Sequence, residues 1–442
     1  MILLYEDNVN CCGCTACMNI CPKRAIAMKA DDEGFLYPFV NQLLCIKCGL
    51  CKTVCPINNK IDLSKSANAN GQDFPFAYAV KHKDSGVRMC SSSGGAYTAI
   101  SDYVMNNGLK ILHLDSHSND IFDHNYIDTI DVVCYGAAFS NDFSVHHISA
   151  TTATERDLFR GSKYVQSELG FTFTKIKQNL IDGKTVLFTG TPCQTAGLRK
   201  FLEVSKFNTT NLILNDIICH GTPSPKLWND YKKLLITNYK SKLKMFSFRD
   251  KEIGWKDYPI RAVFENGTIK KDTSDLRIFI KLFFTHLALR PSCYHCKFAN
   301  LNRPSDITMG DFWGIEKCLP EFGDEKGVSL VLVNSLKGQA VFEQIKDSLY
   351  CKQCNTIDCA KYQHNLNQPT PRPANRDAFW QDYRKMGFNY IIKKYAGFGI
   401  AGRMKSFTVK ELRRFGLLKF VIKVLRRWKR LRIIYLLMAY HF

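Results

Sequence analysis

The sequence predicts an α+β module, then an α/β domain, then a basic helical tail, and three observations carry that order. A cysteine run is repeated before residue 60, short apolar runs alternate with helical spacing from about residue 75, and Lys and Arg crowd the end of the chain. With 442 residues, 45% hydrophobic and 23% charged, the chain suits several globular units better than a disordered polymer or a membrane bundle. No apolar stretch reaches the roughly 18 to 20 residues that span a bilayer.

Cys11, Cys14, Cys17 and Cys21 are spaced as C-x2-C-x2-C-x3-C and followed by Pro22, the spacing of bacterial ferredoxins. Cys45, Cys48, Cys51 and Cys55 repeat it before Pro56. In two-cluster ferredoxins the fourth cysteine of each run crosses to the other cluster. The expected ligand sets are therefore Cys11, Cys14, Cys17 and Cys55 around one [4Fe-4S] centre, and Cys45, Cys48, Cys51 and Cys21 around the second. Paired C-x2-C motifs also suit tetrahedral zinc, but zinc gives no reason for two tandem runs each closed by Cys-Pro. Cys12 is left over and reads as a small buried apolar residue. The first ligand stands at residue 11, which leaves no space for a signal peptide, so the nineteen cysteines read as metal ligands of a cytoplasmic chain. Residues 1–60 form this module, and polar, small residues 61–74 read as a linker to a domain over 75–400.

In that domain, 76–82 alternates as a strand does, 184–190 and 211–219 suit buried strands, and 94–107 and 196–204 have helical spacing. Strands alternating with helices argue for an α/β domain. Residues 244–271 read as a β-hairpin around Glu265, Asn266 and Gly267.

Cys193 in "TGTPCQTAG", Cys219 in "IICHGTPSP", and Cys293 with Cys296 in "RPSCYHCKF" stand beside Gly or Pro at element boundaries. They could supply the four thiolates of a third cubane, or be packed thiols at strand ends. "CSSSGGAYTAI" sets Ser92, Ser93, Gly94 and Gly95 at a turn into a helix, which suits either a phosphate on free backbone N–H groups or an ordinary serine N-cap. Lys163 and Tyr164 lie among small residues in "GSKYVQS"; an exposed lysine is the plain alternative. Asp306, Asp311 and Trp313 in "NRPSDITMGDFWG" suit a pocket wall or a helix cap. His220 follows Cys219 directly, while Cys351, Cys354 and Cys359 lack a fourth ligand and read as core or surface thiols.

In order along residues 75 to 320, "SSSGGAYTAI", "GSKYVQS", "GTPCQTAGLRKFL", "CHGTPSP" and "CYHCKFANLNRPSDITMGDFWG" resemble the coenzyme F420 hydrogenase/dehydrogenase beta-subunit family. The resemblance implies an α/β flavin and iron-sulfur oxidoreductase domain that binds FAD beside a [4Fe-4S] cluster. It makes Cys193, Cys219, Cys293 and Cys296 the ligands of that third cluster. Ser92, Ser93, Gly94 and Gly95 become contacts for the FAD phosphates, and Lys163 a contact for the flavin ring. The implied activity is an iron-sulfur flavoprotein oxidoreductase. It would pass electrons between ferredoxin-type clusters and a FAD that exchanges a hydride with an organic substrate or a deazaflavin-like cofactor. The alternative is an electron-transfer subunit that serves a partner enzyme and has no substrate chemistry of its own. A redox partner, ferredoxin or another oxidoreductase, follows from either reading, and a small-molecule substrate from the first; no catalytic residue is named.

The net charge is +21, and residues 403 to 432 alone hold twelve Lys or Arg against the single acid Glu411. Leu412, Phe415, Leu418, Val421, Ile422 and Leu425 recur at three- and four-residue steps, so the tail over 401–442 reads as a basic amphipathic helix. Such a helix suits peripheral contact with the inner membrane surface, docking on the protein's own core, or an acidic partner. A nucleic-acid partner is not implied, because no reading motif accompanies the charge.

Overall fold

The computed structural model describes residues 4–59, 74–108, 131–252 and 254–397. The expected linker falls almost wholly, and the basic tail wholly, outside those residues. The chain divides into two compact units, Met1–Arg376 and Asp377–Phe442. The helix Arg376–Tyr395, broken at Gly387, starts at the last residue of the first unit and otherwise belongs to the second. All that follows concerns the first.

Its opening module is a duplicated turn-and-helix joined by a hairpin. Strands β1 (Ile26–Ala30) and β2 (Leu36–Val40) pair antiparallel. The short helices Ala16–Ile20 and Leu50–Thr53 each follow a residue in the left-handed region, Thr15 and Gly49. Tight entry turns let each cysteine run fold back on itself.

The larger part is an eight-stranded mixed sheet. Its strands are β3 (Phe76–His82), β4 (Val132–Phe139), β5 (Val145–Ala150), β6 (Thr185–Gly190), β7 (Leu212–Ile217), and, after a three-stranded side sheet of β8 (Leu243–Ser247), β9 (Arg261–Phe264) and β10 (Ile269–Lys271), β11 (Ile307–Asp311), β12 (Ser329–Val333) and β13 (Leu349–Cys354). The order is β13-β3-β12-β11-β7-β6-β4-β5. The four strands β11, β7, β6 and β4 run parallel, whereas β12, β3, β13 and β5 join antiparallel. Alternate residues feed opposite faces. Leu187 packs with Ile100 and Phe342 beneath the helices Ala96–Asn107 and Leu336–Ile345, and Val186 and Phe188 pack with Phe173 and Leu198 beneath Thr172–Ile181 and Pro192–Val204.

The strands expected at 76–82, 184–190 and 211–219 and the helices within 94–107 and 196–204 form close to those bounds. The Asn-Gly turn also forms, with Gly267 at φ +82 and its N–H donating to the Phe264 carbonyl at 3.0 Å. The rest of 244–271 departs from a plain hairpin. β8 and β9 are separated by a long excursion over 248–260, an interruption that residue alternation does not reveal.

The module seats on the sheet domain through close contacts. Gly197, in the Pro192–Val204 helix, faces Cys14 so tightly that an added Cβ would stand 2.8 Å from the Cys14 Cβ. Asn19 donates to the Gly170 carbonyl at 3.0 Å and accepts from the Thr174 N–H at 3.0 Å.

Candidate redox centre

Three thiol groupings, with Cys12 between two of them, and one cavity follow one another through the first unit. In the module, Cys21 lines a single hollow with Cys45, Cys48 and Cys51, while Cys55 neighbours Cys11, Cys14 and Cys17. The structure thus brings the eight module cysteines together, with Cys21 beside Cys45, Cys48 and Cys51 and Cys55 beside Cys11, Cys14 and Cys17. Burial pushes the Cys17, Cys51 and Cys55 thiols up.

Cys12 is half-buried rather than buried, and it is more than filler. Its thiol lies within hydrogen-bonding reach of both Cys14 and Cys193, so it stands between the module and the sheet domain. Cys55, Cys193 and Cys296 also share an apolar cluster with Ile57, Ala196 and Phe298.

Cys193, Cys219, Cys293 and Cys296 come from different elements and meet. Cys193 enters at the start of its helix, Cys219 just beyond the carboxyl end of β7, and Cys293 with Cys296 from a 3-10 turn. The Cys219 thiol is pushed well up, by burial and then by Cys293 and Cys193; burial pushes Cys296 up to about 12. Two buried arginines hold the arrangement. Arg303 donates to Asp216 at 3.0 Å, to the Ile217 carbonyl at 3.1 Å and to the Phe298 carbonyl at 2.8 Å, so it ties the Cys293–Cys296 segment to the end of β7. Arg290 donates to the carbonyls of Cys11 (2.8 Å) and Leu36 (3.0 Å) and to Gln166 (3.0 Å), with a longer approach of 3.7 Å to the Cys11 sulfur. Among the described residues no three His, Cys, Asp or Glu side chains close on a single ion; a cubane, with a ligand at each iron corner, needs wider spacing than one ion does.

Cys219 also lines a cavity of about 290 Å³ at the carboxyl ends of β4, β6, β7 and β11. That is where open α/β sheets bind ligands. Ser92, Ser93, Gly95, Lys163, Tyr164, His220, Asp311 and Trp313 all reach it, which unites most of the sequence-predicted positions. Gly94 and Asp306 do not line it. The Gly94 N–H donates to Ser329 Oγ at 2.9 Å, and a Cβ there would stand 2.2 Å from the Val80 carbonyl, so its bareness serves sheet packing. Asp306 accepts from the Leu214 N–H at 2.8 Å and from Ser335 Oγ at 2.7 Å, a buried structural acceptor. The helix Ala96–Asn107 is capped by Gly95, at φ +95, rather than by a serine. Its twelve-residue N-terminus opens on the cavity through Gly95, Ala96 and Tyr97, a place suited to negative charge.

Lys163 donates to the carbonyls of Leu158 (2.7 Å) and Arg160 (2.8 Å), and its enclosure by protein atoms pushes it down to about 7. His147 is fixed by its neighbours. One ring nitrogen meets the Thr189 carbonyl at 3.1 Å and the other meets Ser167 Oγ at 2.9 Å, which in turn accepts from Gln194 at 2.9 Å. Burial pushes His147 down to about 4, so it is a neutral wall at pH 7.

Sequence reasoning missed the residues that brace the cavity wall from behind. Arg249, from the 248–260 excursion, pairs with Asp311 at 2.8 Å and reaches Tyr164 Oη at 3.3 Å and the Ser92 carbonyl at 3.4 Å. Trp255 donates to Asp311 at 3.0 Å and stacks on Trp313, ring centroids 5.2 Å apart. Lys251 donates to the carbonyls of Arg88 (2.7 Å), Lys326 (2.7 Å) and Ser93, which braces the serine turn from behind. The only signal in the sequence was an unexplained cluster of charge and aromatics after β8.

The cysteines of 351–359 separate. Cys351 packs on one sheet face, and Cys354 and Cys359 on the other, beside Cys318.

Residues 183–358 match the family model for the C terminus of the coenzyme F420 hydrogenase/dehydrogenase beta subunit, and residues 10–59 match that of the 4Fe-4S dicluster domain. No curated protein matches the chain. A chain from the structure of the F420-reducing [NiFe] hydrogenase complex of Methanosarcina barkeri is similar at 15% identity and TM-score 0.43, over 73% of this chain and 97% of that one. Residues 183–358 are thus similar to the C-terminal part of the coenzyme F420 hydrogenase/dehydrogenase beta subunit, and residues 10–59, ahead of them, to 4Fe-4S dicluster domains.

Proposed function

We propose that the chain is an iron-sulfur electron-transfer subunit that carries single electrons between its dicluster module and a flavin, FAD, in the sheet cavity. One observation supports this reading above all: Cys12 touches Cys14 on one side and Cys193 on the other, while Cys219 belongs at once to the third thiol group and to the cavity wall. Cys11, Cys14, Cys17 and Cys55 would hold one [4Fe-4S] cluster, Cys21, Cys45, Cys48 and Cys51 a second, and Cys193, Cys219, Cys293 and Cys296 a third.

The cavity's residues fit a flavin. Gly95, Ala96 and Tyr97 offer a helix N-terminus to its phosphates, and Tyr164, Tyr258, Phe283 and Trp313 offer apolar ring faces. Bound there, a flavin supplies the exchange between one-electron and two-electron chemistry. The protein's share is placement. His147, Ser167 and Gln194 hold one wall in a single hydrogen-bonded arrangement, Arg249 and Asp311 hold the other, and Lys163 offers a proton-bearing group that titrates near neutrality.

A second reading, hydride exchange with an organic substrate or deazaflavin-like cofactor, is favoured by the aromatic wall of Tyr258, Phe284 and Trp313, which offers a stacking surface at the cavity. Anaerobic reconstitution with iron, sulfide and FAD tests the main reading. About twelve irons per chain are expected from three cubanes, with flavin retained. Eight irons or fewer would remove the third cluster, and a chain that binds no flavin would remove the cavity assignment.

A further inference from the structure

The outer end of the thiol path is built as a landing surface, and we propose that its occupant is a small acidic electron-carrier protein. This rests on the reading of the module as an electron carrier. The hollow shared by Cys21, Cys45, Cys48 and Cys51 comes to the surface at Cys48, which is exposed. An electron entering or leaving there crosses little protein. Ile46 of the hollow and the chain neighbours of its Val40 and Cys45 are apolar and left uncovered by the fold: Leu43 is 96% exposed, Leu44 51%, Ile46 57% and Phe39 52%. Scattered exposed hydrophobics are ordinary, but three within four consecutive residues bracketing Cys45 form a patch, the mark of an interaction site.

Charge names the partner's chemistry. Lys23, Lys47 and Lys52 line the same hollow, Arg24 is exposed between the lining residues Lys23 and Ala25, and exposed Lys29 holds its ammonium 3.7 Å over the Phe39 ring of the apolar patch. Residues 8–30 and 34–59 contain no Asp or Glu. An apolar centre with an all-basic rim suits a partner with an apolar centre and an acidic rim. Complementary charge of this kind raises encounter rates and makes them fall with salt, and weak electron-transfer encounters use small surfaces. In each encounter one electron leaves the reduced carrier and one enters the module; no bond forms and no proton moves.

The test is anaerobic stopped-flow reduction of the reconstituted full chain by a reduced plant-type [2Fe-2S] ferredoxin, an acidic carrier, with dithionite as a reductant too small to need the surface. The variant combines Leu43→Glu with Lys29→Glu, both exposed and neither a ligand, and iron content verifies that it is loaded. Expected are a ferredoxin rate at least tenfold below the parent's, an unchanged dithionite rate, and a parent rate that falls with rising salt while the variant's changes little. Equal ferredoxin rates in parent and variant would overturn the docking surface. So would equal rates accompanied by a parent dimer that the variant dissolves in sedimentation velocity, since the patch would then serve a second copy of the chain. If dithionite leaves the module unreduced in the parent, it is the electron-carrier reading that fails.

Discussion

The two ends of the thiol path differ in how they meet solvent and in what holds them. At the module's outer site Cys48 is exposed and basic residues ring the hollow. At the inner site Cys193, Cys219 and Cys293 are half-buried, crowd one another, and are held by Arg290 and Arg303, which flank the Cys293–Cys296 turn and tie it to the module and to β7. The first is shaped by neighbours in sequence, the second by the order of strands in a sheet. Under the proposed function, exchange with a carrier belongs to the outer end and exchange with a flavin to the inner one.

The largest effect expected from breaking this contrast is loss of a centre. Cys219→Ser and Cys48→Ala should each remove about four irons, but only Cys219→Ser should stop the module from reducing flavin in the cavity. Iron and sulfide analysis with flavin bleaching checks both. Next is Arg303→Met, which leaves fully buried Asp216 without its partner; about 3–5 kcal/mol of stability should go, read by anaerobic urea unfolding. His147→Gln sharpens the comparison through pH. Because burial lowers His147 to about 4 from 6.5, the unfolded chain binds its proton first, so stability falls as pH drops through that window. The parent should lose up to about 3 kcal/mol more than the variant between pH 6.5 and 4, and nothing more above it. The smallest is Gly197→Ala at the seat of the module. Overlap with Cys14 costs about 1–3 kcal/mol and the better helix former returns roughly 1, a net loss of about 1 kcal/mol seen as a lower Tm.

The contrast also explains what could be read from residue order alone. The module cysteines were legible as a set because their spacing lies in consecutive residues, and Cys21 does stand with Cys45, Cys48 and Cys51 around one hollow. The inner cysteines were visible as isolated thiols at strand ends, but 26 residues separate Cys193 from Cys219 and 74 separate Cys219 from Cys293, so only sheet order brings them together. Ser92, Ser93, Gly95 and Lys163 were legible as a glycine-rich turn and a lysine among small residues. Arg249 was not, because its segment looked like strand alternation, and an arginine's partner 62 residues away leaves no local trace. Cys12 was passed over for a similar reason: its meaning lies in Cys193, far along the chain.

Arg249, Trp255 and Tyr258 all come from one loop between β8 and β9, whereas the thiol path rests on strand ends and buried arginines. The two can diverge independently. Over evolutionary time a lineage can rewrite the 248–260 loop and so change what the cavity admits, while inheriting an intact electron supply. Descendants of one such chain would then share their wiring and differ in their clientele.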